Sequence, residues 1–486
     1  MLQIFTTLRL LGILIMLFSL TMLPPALMGW LLDGVPWFES VFWFSFLLLF
    51  GIGALIWLIF LRARGDLHVR DGFVVVVMFW LVLGLFGALP LYLEPALHIS
   101  ITDAVFESMS GLTTTGATVI VGLDALPKSI LWYRQQLQWL GGMGIIVLAV
   151  AILPLLGIGG MQLFRAEISG PTKDNKLAPR IAETARNLWF IYVGLTIACG
   201  LGYWAAGMNW FDAIAHAFST VAIGGFSTYD ASIGHFDSAA IESIAIVFML
   251  LGGMNFALHF LAIRQLTFAP YRKDEEVRVY LLLLGGVALI GGIYLMYAGV
   301  VDGWSAALRL SIFHAVSVGT TTGFSTTEFY LWPGFLPVML LFLSFVGGCA
   351  ASTGGGMKVI RVLLLAKQGA REILRLIHPH AHIAVKVNDR VMPDRVVQAV
   401  WGFMAVYVVV FVVMLLLLMA SGLDQVTAFS AVAATLNNLG PGMGEVGPNF
   451  TAINDFSKWV LVFAMLLGRL EIFTVLVLLT PAFWRR

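Results

Sequence analysis

Between long apolar stretches, one short segment recurs four times in this 486-residue chain. It reads DAVFESMSGLTTTG at 103–116, DAIAHAFSTVAIGG at 212–225, LSIFHAVSVGTTTG at 310–323 and TAFSAVAATLNNLG at 427–440. Each copy has the pattern of a short helix running into a Thr/Gly-rich or Asn/Gly-rich loop that stops at a glycine. A second landmark follows each of those glycines by 24 to 28 residues: Gly141-Gly142, Gly252-Gly253, Gly347-Gly348 and Gly468-Arg469. Repetition at near-constant spacing signals repeated supersecondary units. The unit here is helix, re-entrant loop, helix, and four such units in one polypeptide are the plan of an ion-conducting pore.

Composition agrees. Hydrophobic residues make up 60% of the chain and charged residues 11%, whereas soluble domains carry roughly 25% charged residues. The two cysteines, Cys199 and Cys349, sit inside apolar runs and define no disulfide framework. The first apolar run carries Arg9 early, like a signal peptide, but is too long for one and lacks a small-x-small cleavage site. It reads as a retained span.

A hydrocarbon core of about 30 Å needs about 20 apolar residues per crossing helix. Ten stretches meet that length, at about 8–32, 38–61, 72–94, 134–158, 187–207, 239–263, 279–300, 335–366, 396–420 and 457–481. The first is expected to bend at Pro24-Pro25. The four recurring segments are too short to cross and suit half-membrane helices starting near Asp103, Asp212, Ser305 and Asp424, which are candidate N-caps. The fold class is therefore an all-α membrane protein of ten spanning and four re-entrant helices in pseudo-fourfold order. Its expected units are an N-terminal two-helix pair at 1–66 and pore repeats at 67–165, 166–268, 269–368 and 369–486.

Basic residues orient the chain. The inter-repeat loops and termini hold 23 of the 28 Lys and Arg. They include Arg62, Arg64 and Arg70; Arg165, Lys173, Lys176, Arg180 and Arg186; Arg264, Arg272, Lys273 and Arg278; and eight from Lys358 to Arg395. These loops and both termini are expected in the cytoplasm, and the re-entrant loops enter from outside. Only Lys128, Arg134, Arg309 and Lys458 fall on the outer side, while Arg469 lies within a span.

Unpaired backbone at membrane depth must line water or protein. Carbonyl oxygens facing a common axis can replace the hydration shell of a monovalent cation. A glycine at the loop end permits positive φ and close approach, and Gly116, Gly225, Gly323 and Gly440 supply this four times. The C-termini of the short helices would then present partial negative charge to a cation. Ordinary turns between spans are the competing reading. Four copies in register, each with the same downstream landmark, weigh against it.

These residues resemble the membrane subunit of the Trk/Ktr/HKT superfamily of potassium transporters, along the whole chain. The resemblance rests on the loops ending Thr113-Thr114-Thr115-Gly116, Ile223-Gly224-Gly225-Phe226, Thr320-Thr321-Thr322-Gly323-Phe324 and Asn437-Asn438-Leu439-Gly440-Pro441. The glycine-rich stretch at 347–358 and Arg469 add to it, and the two extra N-terminal spans favour the TrkH-like branch. The resemblance implies a K⁺ filter at Thr114, Thr115, Gly116, Ile223, Gly224, Gly225, Thr321, Thr322, Gly323, Asn438, Leu439 and Gly440. It also implies a homodimer in the bacterial inner membrane and a cytoplasmic TrkA-type ring that binds a nucleotide. Repeat 1 has Ala117 where repeats 2 and 3 have Phe226 and Phe324.

The stretch 347–358 interrupts an apolar run with five glycines, Ser352 and Thr353, and each glycine disfavours helix by about 1 kcal/mol. A kinked, closely packed helix is one reading. The other is an unwound gate under the filter, formed by Gly347, Gly348, Ser352, Thr353, Gly354, Gly355, Gly356 and Lys358 and held by Arg469. Arg469 costs about 2.5–3.5 kcal/mol at a helix centre, so it faces a polar cavity or pairs with an acid such as Glu471. His216 and His314 share an offset with Glu107 and are expected to support the filter through hydrogen bonds. His378, His380 and His382 read as a solvated loop rather than a transition-metal site. No Walker A motif or nucleotide-binding glycine loop occurs, so the chain itself is expected to hold no cofactor beyond transported K⁺. No nucleophile or metal constellation argues for an enzyme. The functional alternative is a cation/H⁺ or cation/Na⁺ symporter with alternating access.

Overall fold

The structure, a computed structural model, describes residues 4–63, 69–147 and 177–485. Arg64, Arg165, Lys173, Lys176, Arg486 and the second half of the expected span at 134–158 lie outside the described residues, as do the unit boundaries at 66 and 165. The described residues are helical apart from one two-stranded hairpin and the connecting loops.

The N-terminal unit comprises α1 (Ile4–Leu20), α2 (Leu23–Leu32) and α3 (Val41–Ile59). The break between α1 and α2 falls just before Pro24-Pro25, which occupy the first turn of α2, where proline costs no hydrogen bond. Repeat 1 follows with α4 (Val69–Leu93), the short α5 (Ile101–Leu112) and α6 (Lys128–Val147). Asp33 ties the two units together. Its carboxylate accepts the Lys128 and Ser129 backbone N–H at 2.8 and 2.9 Å, capping α6.

Repeat 2 has α7 (Leu177–Ala205), the short α8 (Trp210–Ala222), then α9 (Ala239–Gly253) and α10 (Phe256–Gln265). After α11 (Ala269–Lys273), repeat 3 has α12 (Glu275–Tyr297), the short α13 (Trp304–Gly319), α14 (Leu336–Val346) and α15 (Val359–Ile377). The hairpin of β1 (Lys386–Val387) and β2 (Arg390–Val391) precedes repeat 4. That repeat holds α16 (Asp394–Ala420), the short α17 (Gln425–Leu436), α18 (Asp455–Arg469) and α19 (Ile472–Leu479), with α20 (Pro481–Trp484) last.

Six helices among the described residues are long and apolar enough to cross a bilayer, or eight if two bent pairs count as one span each. The chain is thus a multi-pass membrane protein, but besides the first, broken between α1 and α2, three more of the ten expected spans are not continuous helices. The span at 239–263 bends by 100° between α9 and α10, and that at 457–481 by 115° between α18 and α19. The span at 335–366 is split into α14 and α15 by the glycine-rich stretch. The expected boundary at 368 falls inside α15, which runs on to Ile377.

Packing closes the repeats into a ring. The second long helix of each repeat lies on the short helix of the next: α6 on α8, α9 on α13, α14 on α17, and α18 back on α5. Two ion pairs reinforce this order. Arg309 on α13 grips Glu242 on α9 through two bonds of 2.7 Å, and Lys458 on α18 meets Asp103 on α5 at 2.6 Å.

Candidate functional site: a ring of four loops over a broken helix

All four short helices end alike. Just past each helix end comes a left-handed residue: Thr114 (φ 51°), Ile223 (φ 54°), Thr321 (φ 69°) and Asn438 (φ 54°). Its N–H bonds the carbonyl three residues back, and the next N–H bonds the carbonyl five back. The second set runs Thr115 to Ser110, Gly224 to Ser219, Thr322 to Ser317 and Leu439 to Ala434, at 2.7–2.8 Å. This is a Schellman ending, repeated four times. It satisfies the helix carbonyls while turning the chain sharply. Left-handed backbone costs a β-branched residue about 1–3 kcal/mol, a strain that clusters at functional sites.

Two residues on from each of these comes a glycine at positive φ: Gly116, Gly225, Gly323 and Gly440, at 82°, 80°, 83° and 98°. Their side-chain positions are already taken. A Cβ on Gly116 would land on the Gly224 carbonyl oxygen, one on Gly225 on that of Thr322, and one on Gly323 on that of Leu439. A Cβ on Gly440 would come within 2.7 Å of the Thr115 oxygen. Each glycine therefore abuts the carbonyl just ahead of the next repeat's glycine, and the fourth returns to the first. At the left-handed and glycine positions of all four loops, the carbonyl oxygens receive no hydrogen bond from the described residues. The twelve filter residues expected from sequence are all brought together here.

A cavity of about 520 Å³ opens on this ring and is lined by all four glycines. Its charged lining is Asp230, Glu328 and Arg134. Arg134 is bound to Glu107 at 2.8 Å, and both side chains are buried. That pair braces the loop of repeat 1: Glu107 accepts the Val119 N–H at 2.9 Å, and Arg134 reaches the Ser227 carbonyl of repeat 2 at 3.2 Å. His216 holds Ser227 Oγ at 2.9 Å, and His314 accepts the Thr326 N–H at 3.4 Å. In repeat 4, Ser430 bonds both the N–H and the carbonyl of Met443. Different side chains thus do one job, holding the strand that leaves each glycine.

The helix starts differ from expectation. Ser100 and Asn209 are the N-caps of α5 and α8, accepting the N–H of Asp103 and Asp212 at 3.1 and 2.9 Å. Gly303 precedes α13, which places Ser305 inside the helix, and only Asp424 caps as expected. Both Asp103 and Asp212 sit in the first turn, where a carboxylate favours the helix dipole.

On the other side of the ring lies the stretch 347–358. Gly347, Ala351, Gly356 and Lys358 have positive φ, at 71°, 52°, 71° and 78°, so no helix can pass through. The loop is fastened to three repeats. Thr353 Oγ1 donates to the Val221 and Gly252 carbonyls at 2.9 and 3.1 Å, and the Cys349 N–H to Gly253 at 2.8 Å. The Gly355 N–H reaches Thr321 Oγ1 at 2.6 Å, and the Gly356 N–H reaches the Asn437 carbonyl at 3.0 Å. Gly348 and Gly354 sit so close to the Gly253 and Thr320 carbonyls that a Cβ would come within 3.2 and 2.9 Å. Ser352 Oγ and the Lys358 ammonium bond the loop's own carbonyls, those of Cys349 and Gly354. The loop therefore occupies the C-terminal ends of three short helices, where their partial negative charge gathers.

Arg469 ends α18 beside this loop, 5% exposed, and donates from Nη1 to the Thr353 carbonyl at 2.9 Å. Its Nε and Nη2 have no partner among the described residues. Glu471 does not pair with it; that carboxylate binds Arg361 on α15. Among the described residues, no group of three or more His, Cys, Asp or Glu could hold a metal ion.

The family model for TrkH, described as a cation transport protein, matches residues 39–486. The Trk system potassium uptake protein TrkH of Halomonas elongata is 57% identical over 483 residues, covering 99% of each chain. That of Escherichia coli K12 is 52% identical over 478 residues, covering 98% of each. The crystal structure of the potassium transporter TrkH from Vibrio parahaemolyticus superposes with a TM-score of 0.92 at 54% identity, over 99% of this chain and 100% of that one. The match runs through all four repeats and the broken third one, and the chain belongs to the TrkH family of cation transport proteins.

Proposed function

We propose that this chain takes up potassium through a single channel-like path along the axis of the four-loop ring. The observation that carries the reading is the closed circuit of contacts from each loop glycine to the carbonyl of the next repeat. Such a circuit fixes four sets of carbonyl oxygens about one axis, the donor set that replaces the hydration shell of K⁺. The relatives' names as potassium uptake proteins point the same way. On this reading, Thr114–Gly116 and their counterparts in repeats 2–4 form the selectivity filter. The cavity over the ring is its outer entrance, and Asp230 and Glu328 draw cations toward it.

The stretch 347–358 is the gate. Its N–H groups and the Arg469 charge occupy the ends of the short helices that would otherwise stabilise a cation beneath the filter. Opening requires the loop to leave. The basic inter-repeat loops lie in the cytoplasm of a bacterial inner-membrane protein, both termini with them, and receive a TrkA-type ring that carries the nucleotide. The membrane chain works as a homodimer.

The test is ion flux into liposomes holding the purified chain, with Rb⁺, K⁺ and Na⁺ compared. Rb⁺ and K⁺ entry well above Na⁺, without dependence on a proton or sodium gradient, is the expected result. Flux that requires such a gradient would favour a symporter instead.

A further inference from the structure

Glu276 is a carboxylate 6% exposed in the first turn of α12, and no part of the conduction path uses it. Its Oε1 accepts two backbone N–H groups, from Ala350 at 2.7 Å and from Ile360 at 3.1 Å. Ala350 lies near the start of the glycine-rich loop, and Ile360 is in the first turn of the helix that follows it. One oxygen thus pins both ends of the same loop. The residues just before Glu276 hold the β1–β2 hairpin. Glu275 exchanges backbone and side-chain bonds with Asn388, its N–H donating at 2.7 Å and its carboxylate accepting at 3.3 Å. Asn388 also donates to Asp274 at 3.0 Å. Asn388 and Asp389 are the two turn residues, both left-handed, as a tight two-residue hairpin demands. Lys367 completes the junction, bonding Glu275 at 2.5 Å and the Lys386 carbonyl at 2.6 Å. The apolar side of the hairpin, Val385 and Val387, packs in one cluster with Ile360 and Ala350.

We propose that Glu276 is a positioning residue that latches the intramembrane loop to the hairpin at 386–391, so that displacement of the hairpin is passed to the gate. The inference rests on the loop being the gate, as proposed above. Three successive acids share the linkage, with Asp274 and Glu275 holding the hairpin and Glu276 holding the loop. A rigid helix turn joins them, so the hairpin cannot shift without moving the carboxylate. Two backbone N–H groups held by one buried oxygen are costly to strand without a partner, which suits a latch that must stay closed until pulled. The hairpin's position on the basic, water-facing side makes it the handle.

The test is Rb⁺ entry into liposomes containing the full chain, with thermal melting as a check on folding. Glu276→Ala should raise basal Rb⁺ entry about tenfold, the equivalent of the two backbone hydrogen bonds lost together. Glu276→Gln keeps an acceptor oxygen and should fall between wild type and Glu276→Ala. Asn388→Ala should raise entry less, and combining it with Glu276→Ala should add nothing, because both act through one link. Unchanged entry in a folded Glu276→Ala, while Arg469→Ala raises it, overturns the latch and leaves the gate. Equal entry in the Gln and Ala variants, or additive effects of the pair, also overturns it. A chain that passes no Rb⁺ in any variant refutes the conduction reading and the latch with it.

Discussion

Arg469 Nη1 and the Thr353 carbonyl oxygen lie 2.9 Å apart, joining α18 of repeat 4 to the loop that breaks repeat 3. The bond is buried, and Arg469 sits against the ring's underside. A charged donor to a carbonyl is worth about 1.5–3 kcal/mol, or roughly ten- to hundredfold in a closed–open equilibrium. Arg469→Ala should therefore raise basal Rb⁺ entry by about that factor without altering K⁺ preference. Abolished entry in folded protein would mean that Arg469 supports conduction rather than closure.

Thr353 gives a graded comparison. Its hydroxyl bridges the Val221 and Gly252 carbonyls of repeat 2. Neutral hydrogen bonds contribute about 0.5–1.5 kcal/mol, so Thr353→Val should raise basal entry a few-fold, less than Arg469→Ala. The same liposome assay ranks the two variants. The reverse order would contradict the assignment of the main closing contact to Arg469.

Glu107 and Arg134 form a fully buried pair behind the first loop. Removing one partner strands a charge and costs about 3–5 kcal/mol. Arg134→Ala and Glu107→Ala should each lower the thermal midpoint in detergent sharply. The double variant should lose less than the sum, since it strands neither charge. Strict additivity would show that the two side chains act on separate features.

The fourfold loop pattern is legible in the sequence because glycine and the short helix recur in register, and the residues of the ring follow from it. The helix breaks are not. Met254-Asn255 and Leu470-Glu471 interrupt apolar runs with too few polar residues to show, yet Glu471 has a positive φ of 59°. Sequence places two of the N-caps three residues late because Ser100 and Asp103, like Asn209 and Asp212, are both acceptable capping types. The braces are hidden by distance along the chain. In the sequence, Arg134 and Lys458 stand out only as exceptions to the charge asymmetry, and their acids are 27 and 355 residues away. A usable signal exists, since a basic residue set within or beside an apolar run needs a partner if it is buried. Glu276 looks like one more acid in a charged loop, and only its burial singles it out.

The regulatory reading predicts a salt-sensitive complex. Arg264, Arg272 and Lys273 lie at the end of α10 and in α11, on the basic side. Reversing all three to Glu should weaken co-purification with a TrkA-type ring, most visibly as ionic strength rises and screening shortens the reach of the remaining charges. Unchanged recovery across the salt range would move the docking surface elsewhere.

The central claim is that the glycine ring sets cation selectivity, and Gly116→Ser tests it most directly. A Cβ at Gly116 would fall on the Gly224 carbonyl oxygen, and the left-handed backbone at φ 82° adds strain. The ring must loosen between repeats 1 and 2 to admit it. The decisive measurement is the ratio of Rb⁺ or K⁺ to Na⁺ entry into liposomes, for wild type and Gly116→Ser matched for folded protein. The ring account predicts a high ratio in wild type and a clearly lower one in the variant. An unchanged ratio in a variant that still folds and conducts would contradict it.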